Sequence, residues 1–161
     1  MRTITLLCLT FLAPALFGQT KAACDLVTQA EADALLGGSS RQIPVGKLGC
    51  GYSLRASGLN LTITVMDLGT SAKQTWDGMK SQAANAHWLA GDEAGMGSNA
   101  YAHLIKRSAE SSAGKCGFVV IKGANVFQIF VTDRAENADL AGKKEMLDKL
   151  RPLAKKAVER L

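Results

Sequence analysis

The chain has 161 residues, 19 Lys and Arg against 14 Asp and Glu, and a formal charge of +5. An apolar fraction of 47% with 20% charged residues excludes a mainly disordered chain. No apolar run reaches the roughly 18 residues of a conventional membrane span, and the length suits one domain.

Met1 and Arg2 give a positive start, and Ile4 to Phe17 follow without a charge. Thr20-Lys21-Ala22 then places small residues on either side of Lys21, ahead of a cut after Ala22. This is the layout of a secretory signal peptide, so residues 1–22 are expected to be an export signal and 23–161 a single domain. Ala22-Ala23-Cys24 also resembles the end of a bacterial lipobox, but Lys21 stands where that motif needs an apolar side chain. A periplasmic or extracellular protein is therefore expected ahead of a lipid-anchored one.

Cys8 would leave with the signal, which leaves Cys24, Cys50 and Cys116. In an oxidising compartment a Cys24–Cys50 bridge is the expected pairing, with Cys116 a buried free thiol. Closing that loop is worth roughly 3–4 kcal/mol on the chain-entropy model. Lipidation of Cys24 would instead make Cys50–Cys116 the natural pair.

Thr28-Gln29-Ala30-Glu31 reads as a capping box, and the helix it opens ends at Gly37-Gly38. Ser39 to Gly49 reads as a loop. Tyr52 to Ser57 and Leu59 to Met66 alternate apolar and polar residues, the pattern of a half-buried antiparallel pair. Ser71 and Gln74 form a second candidate capping box for a helix whose Ala72, Trp76, Met79 and Ala83 share one face. That spacing makes Trp76 a core residue rather than a ligand platform.

His87 to Asn99 is Gly-rich and reads as irregular, Tyr101 to Arg107 as a short strand, and Ser108 to Gly114 as a polar loop. Cys116 to Lys122 and Val126 to Thr132 are the strongest strands, with a tight turn at Gly123-Ala124. A closing helix is expected from about Asp139 to Arg160, with Pro152 kinking or restarting it. The order predicts an α+β domain: an antiparallel sheet of about five strands, with N-terminal, middle and C-terminal helices mainly on one face.

The stretch from Cys24 to Gly37, with Gly49-Cys50-Gly51-Tyr52 and Gly91-Asp92-Glu93-Ala94, resembles a family of small exported or lipid-anchored bacterial proteins. The family is a domain of unknown function that includes mycobacterial lipoproteins. The resemblance spans most of the expected mature chain through short motifs. It implies an envelope or secreted protein with no catalytic residues to carry over. The departure at Lys21 weighs against lipid anchoring.

No residue set carries a recognised catalytic spacing. His87, His103 and Cys116 stand at no metal-ligand spacing, so ordinary structural roles are expected and no metal or cofactor is implied. Asp92 and Glu93 could bind a cation or act as an acid–base pair, but a turn role is the stronger expectation. Gly95-Met96-Gly97 lacks the residues that complete a phosphate loop, and Asn60-Leu61-Thr62 is a sequon set in a strand.

Residues 23–138 hold ten basic and ten acidic side chains, whereas seven basic and four acidic ones follow from Asp139. The closing helix thus offers Lys143, Lys144, Lys155, Lys156 and Arg160 as a candidate binding face for an anionic membrane surface or an acidic partner. A solvated helix face is the simpler expectation. Nucleic acid is not an expected partner.

These features favour a non-enzymatic envelope protein that binds an unidentified protein or ligand. The alternatives are a small periplasmic hydrolase built on Asp92, Glu93 or His103, and an inhibitor of an exported hydrolase.

Overall fold

The computed structural model describes residues 22–105, 114–133 and 140–161, with the backbone alone at 140 and 141. The expected signal segment before Ala22 and most of the expected loop from Ser108 to Gly114 lie outside the described residues. Two short helices, α1 (Ala23–Leu26) and α2 (Gln29–Leu36), precede β1 (Arg41–Val45), β2 (Gly49–Leu54) and β3 (Leu59–Asp67). A 3-10 turn then leads into α3 (Ala72–Asn85). The chain continues through β4 (Leu89–Glu93), β5 (Asn99–Ile105), β6 (Gly114–Lys122) and β7 (Asn125–Asp133) to α4 (Leu140–Arg160).

The strands form one antiparallel sheet in the order β1-β2-β3-β7-β6-β5-β4. The helix α3 carries the chain from β3 to the far edge, and the β4–β7 meander returns to pair β7 with β3 over the full length of both. The α+β class is as expected, but the sheet has seven strands rather than about five. The two additions, β1 and β4, are its edges. Pro44 is tolerated in β1 because an edge strand has no partner on one side. A register irregularity between Leu89 and Gly91 breaks the alternation of β4.

Three helices share one face of the sheet. There Leu26, Ala32 and Leu36 meet Leu147, Leu150 and Ala157 over Tyr52, Ile63, Phe118 and Ile129. The placement of α3 corrects the one-face expectation. Its Ala72, Trp76 and Ala83 pack on the opposite face, against Tyr101, Val119, Ile121, Val126 and Phe130. The central strands are therefore buried on both sides, which explains their continuous apolar runs.

Local chemistry holds the ends. Thr28 Oγ1 accepts from the Glu31 amide and Glu31 returns a bond to the Thr28 amide, completing the first capping box. Ser71 makes no capping bond, so the second box does not form. Pro152 lies inside α4, which continues through it as one helix and does not restart there. The prolyl ring is exposed, and buried Leu147, Leu150, Ala154 and Ala157 anchor the helix on both sides of it.

Candidate functional site

Strand alternation decides which chemistry can meet. On β5, Ala100 and Ala102 enter the α4-side core, so Tyr101 and His103 face α3. On β6, Cys116 and Phe118 face α4, whereas Lys115 and Val119 face α3. His103 and Cys116 therefore lie on opposite faces, and His87 is exposed in the turn after α3. The three candidate metal ligands are not brought together. Among the described residues, no group of three His, Cys, Asp or Glu side chains is placed to hold a metal ion.

Asp92 and Glu93 are separated by the same rule. Asp92 faces α3 and pairs with Lys80 at 2.5 Å. Glu93 faces α4, where Arg151 grips both its oxygens at 2.8 and 2.9 Å. Adjacent carboxylates on opposite faces of a strand point apart, and each of these two is held by its own cation. Asp92 and Glu93 both line a cavity of about 290 Å³ beside the Gly95–Gly97 loop, but each is already committed to a cation.

The candidate basic face of α4 is dispersed in a similar way. Lys143 is only 4% exposed. Arg160 donates to both oxygens of Glu31 at 2.7 Å and to the Leu26 carbonyl, and Lys156 pairs with Glu31 at 2.5 Å. These cations hold Glu31 far below the usual carboxylate range, with the Arg160 hydrogen bonds the largest cause. Within the candidate set, Lys144 and Lys155 are exposed and have no ion-pair partner among the described residues. The Cys24–Cys50 disulfide is present, with Cα atoms 5.0 Å apart. Cys116 is a buried free thiol, and burial pushes its pKa up to about 11.

The site with unspent chemistry is a second cavity, about 190 Å³, between the C-terminal half of α3 and the sheet. Its floor exists because of Gly117. That residue sits opposite His103 on β5 and Phe130 on β7, so no side chain separates the two rings. A Cβ there would lie 2.5 Å from Phe130 Cδ1 and would also strike the Ile129 carbonyl. Across the gap, the His103 and Phe130 ring centroids are 5.4 Å apart at a near-perpendicular angle.

Trp88 forms another wall, with its ring 5.6 Å from His103. It is placed by a Schellman ending of α3: the His87 amide donates to Ala84 and the Trp88 amide to Ala83, while His87 takes a left-handed φ of 56°. The Trp88 carbonyl then accepts from the Leu104 amide at 2.8 Å, pinning the turn to β5.

Electrostatically the cavity is unusual. Both ring nitrogens of His103 are buried, with no hydrogen-bond partner among the described residues. Burial, with a smaller contribution from Lys115, pushes the pKa of His103 down to about 4, so the imidazole is neutral at pH 7. Lys115 lies with Nζ 3.8 Å from the Phe130 ring centroid, and burial lowers its pKa. Among the described residues no carboxylate pairs with it. Gln128, on the wall, donates from Nε2 to Met79 Sδ.

Sequence reasoning named His103 but placed it in no pocket, and it missed Lys115, Trp88, Gly117 and Gln128. One signal was available: a lone glycine inside the apolar run of β6 marks a bulge or a close approach. Comparison with protein-family models, with curated proteins and with solved structures finds no match to this chain. The resemblance carried by the Cys24–Gly37, Cys50-Gly51-Tyr52 and Gly-Asp-Glu-Ala motifs stands on those motifs alone.

Proposed function

We propose that this protein is an exported envelope protein that works by binding, and that it takes a small ligand into the cavity between α3 and the sheet. The observation that carries the reading is His103: a half-buried residue on the wall of an aromatic-lined space, with both ring nitrogens buried and unpartnered among the described residues. Leaving such a group unsatisfied costs on the order of 1–3 kcal/mol, and a ligand that hydrogen-bonds it recovers that cost. Export is supported by the N-terminal charge and apolar pattern, by the Cys24–Cys50 bridge and by the family resemblance. Among the described residues no helix is long and apolar enough to cross a membrane. The separation of Asp92 from Glu93 across the sheet favours binding over hydrolysis. The α4 cations are left out of this reading because Glu31 holds two of them and Lys143 is buried.

The test is a screen of small aromatic and aliphatic compounds against the purified protein, followed by backbone amide and side-chain NMR shifts. Shifts are expected to cluster at Gln82, Trp88, His103 and Gln128. They should disappear in Met79→Trp, which fills the cavity from a half-buried wall. Binding that leaves these resonances unmoved while shifting others would overturn the pocket assignment.

A further inference from the structure

We infer that the α3–sheet cavity is selective for a small aromatic carboxylate, with Lys115 and His103 as its anion-binding groups. This rests on the reading that the cavity is a ligand site and adds the charge and shape of what it takes.

Three observations carry it. The first is the charge balance. Lys115 is half-buried, and taking an ammonium even partly out of water is costly unless an anion or several hydrogen bonds compensate it. Lys115 meets the face of Phe130 instead of a carboxylate among the described residues. A ligand carboxylate beside it would supply a counter-charge that no described residue provides, in a partly desolvated site.

The second is donor capacity. A neutral imidazole has one N–H to donate, and both nitrogens of His103 are unpartnered among the described residues. His103 and Lys115 both line the cavity, so a carboxylate bound there has two donors of the right kind on its walls.

The third is shape. The Trp88, Phe130 and Tyr101 rings surround His103 at centroid distances of 5.6, 5.4 and 6.3 Å. A space of about 190 Å³ between such walls accommodates a single ring with a short substituent.

Aromatic walls alone would also suit a cation. Lys115 decides against that, because its ammonium already occupies the Phe130 face and would repel a second positive charge.

Benzoate, benzyl alcohol and benzylamine have nearly the same shape and differ in charge, so calorimetric titration of all three separates the two levels of the proposal. Benzoate is expected to bind at least tenfold more tightly than benzyl alcohol, with benzylamine weakest. In Lys115→Met the benzoate preference should fall to near unity while benzyl alcohol still binds. Circular dichroism confirms the fold of the variant. The preference should persist at high salt, as an exposed ion contact would not. Benzyl alcohol or benzylamine binding as tightly as benzoate would overturn the anion selectivity and leave the pocket reading intact. If none of the three binds, both fall.

Discussion

At the residue scale, His103 joins the candidate site to stability. Its ordinary pKa of 6.5 is lowered to about 4 by burial and by Lys115. A histidine with a depressed folded-state pKa is neutral in the native protein at pH 5 while the unfolded chain already holds a proton. Stability is therefore full above pH 6.5, falls as the pH drops, and reaches its lower limit below about 4. The expected loss is roughly 2–3 kcal/mol. Chemical denaturation between pH 7.5 and 4.5 should show it, and His103→Phe should flatten the profile over that window. Glu31 also loses stabilisation in acid, since its pKa is depressed by Arg160 and Lys156, but its loss begins only below its ordinary value of 4.5. A wild-type profile that is flat from pH 7.5 to 5 would contradict the buried neutral state of His103. The same imidazole was visible in the sequence as one of two histidines without ligand spacing. Its burial was not, because it depends on which strand face points at α3.

At the scale of elements, the legible features were those set by neighbours in sequence. The Thr28 capping box, the glycine end of α2 and the β2–β3 and β6–β7 pairings all rest on local spacing, and all are present. The edge strands were hidden because Pro44 and Gly91 interrupt their patterns, and their pairing depends on partners rather than on propensity. The Ser71 box failed because a 3-10 turn, in which the Ser71 amide donates to Leu68, already begins the helix. Two substitutions test how the elements build the cavity. His87 takes a left-handed conformation that costs a side chain energy, so His87→Gly should stabilise the protein by roughly 0.5–1 kcal/mol and keep Trp88 in place. Thermal denaturation with Trp fluorescence reads both effects, and a destabilised variant would refute the strain. Gly117→Ala should do the reverse. Its methyl group would strike backbone as well as the Phe130 ring, so a loss of at least about 2 kcal/mol is expected. Unchanged stability would show that the floor of the cavity can yield.

For the whole molecule, the two faces of the sheet are held by different means. The α3 face is a single long helix packed through Trp76, whose indole N–H reaches the Val119 carbonyl. The other face carries an N-terminal layer of two short helices, too short to persist alone in water. That layer is tied down at several points: Arg160 to the Leu26 carbonyl, Arg160 and Lys156 to Glu31, the Tyr52 hydroxyl to the Val27 carbonyl, and the Cys24–Cys50 disulfide. The disulfide joins α1 to β2 across 26 residues, so opening it returns loop entropy to the unfolded chain. Reduction should lower stability by about 3–4 kcal/mol. Because Trp76 and Trp88 lie on the other face, the native fluorescence spectrum should not change. Urea titrations with and without reductant measure the first effect, and emission spectra before unfolding measure the second. Thiol labelling assigns the cysteines independently: Cys24 and Cys50 should label only after reduction, and Cys116 only after unfolding. A midpoint unmoved by reductant would mean that the ion pairs and hydrogen bonds suffice to hold the N-terminal layer. A native spectrum altered by reductant would mean that the two faces are coupled through the sheet, and the cavity would then depend on the redox state of a bond on its opposite side.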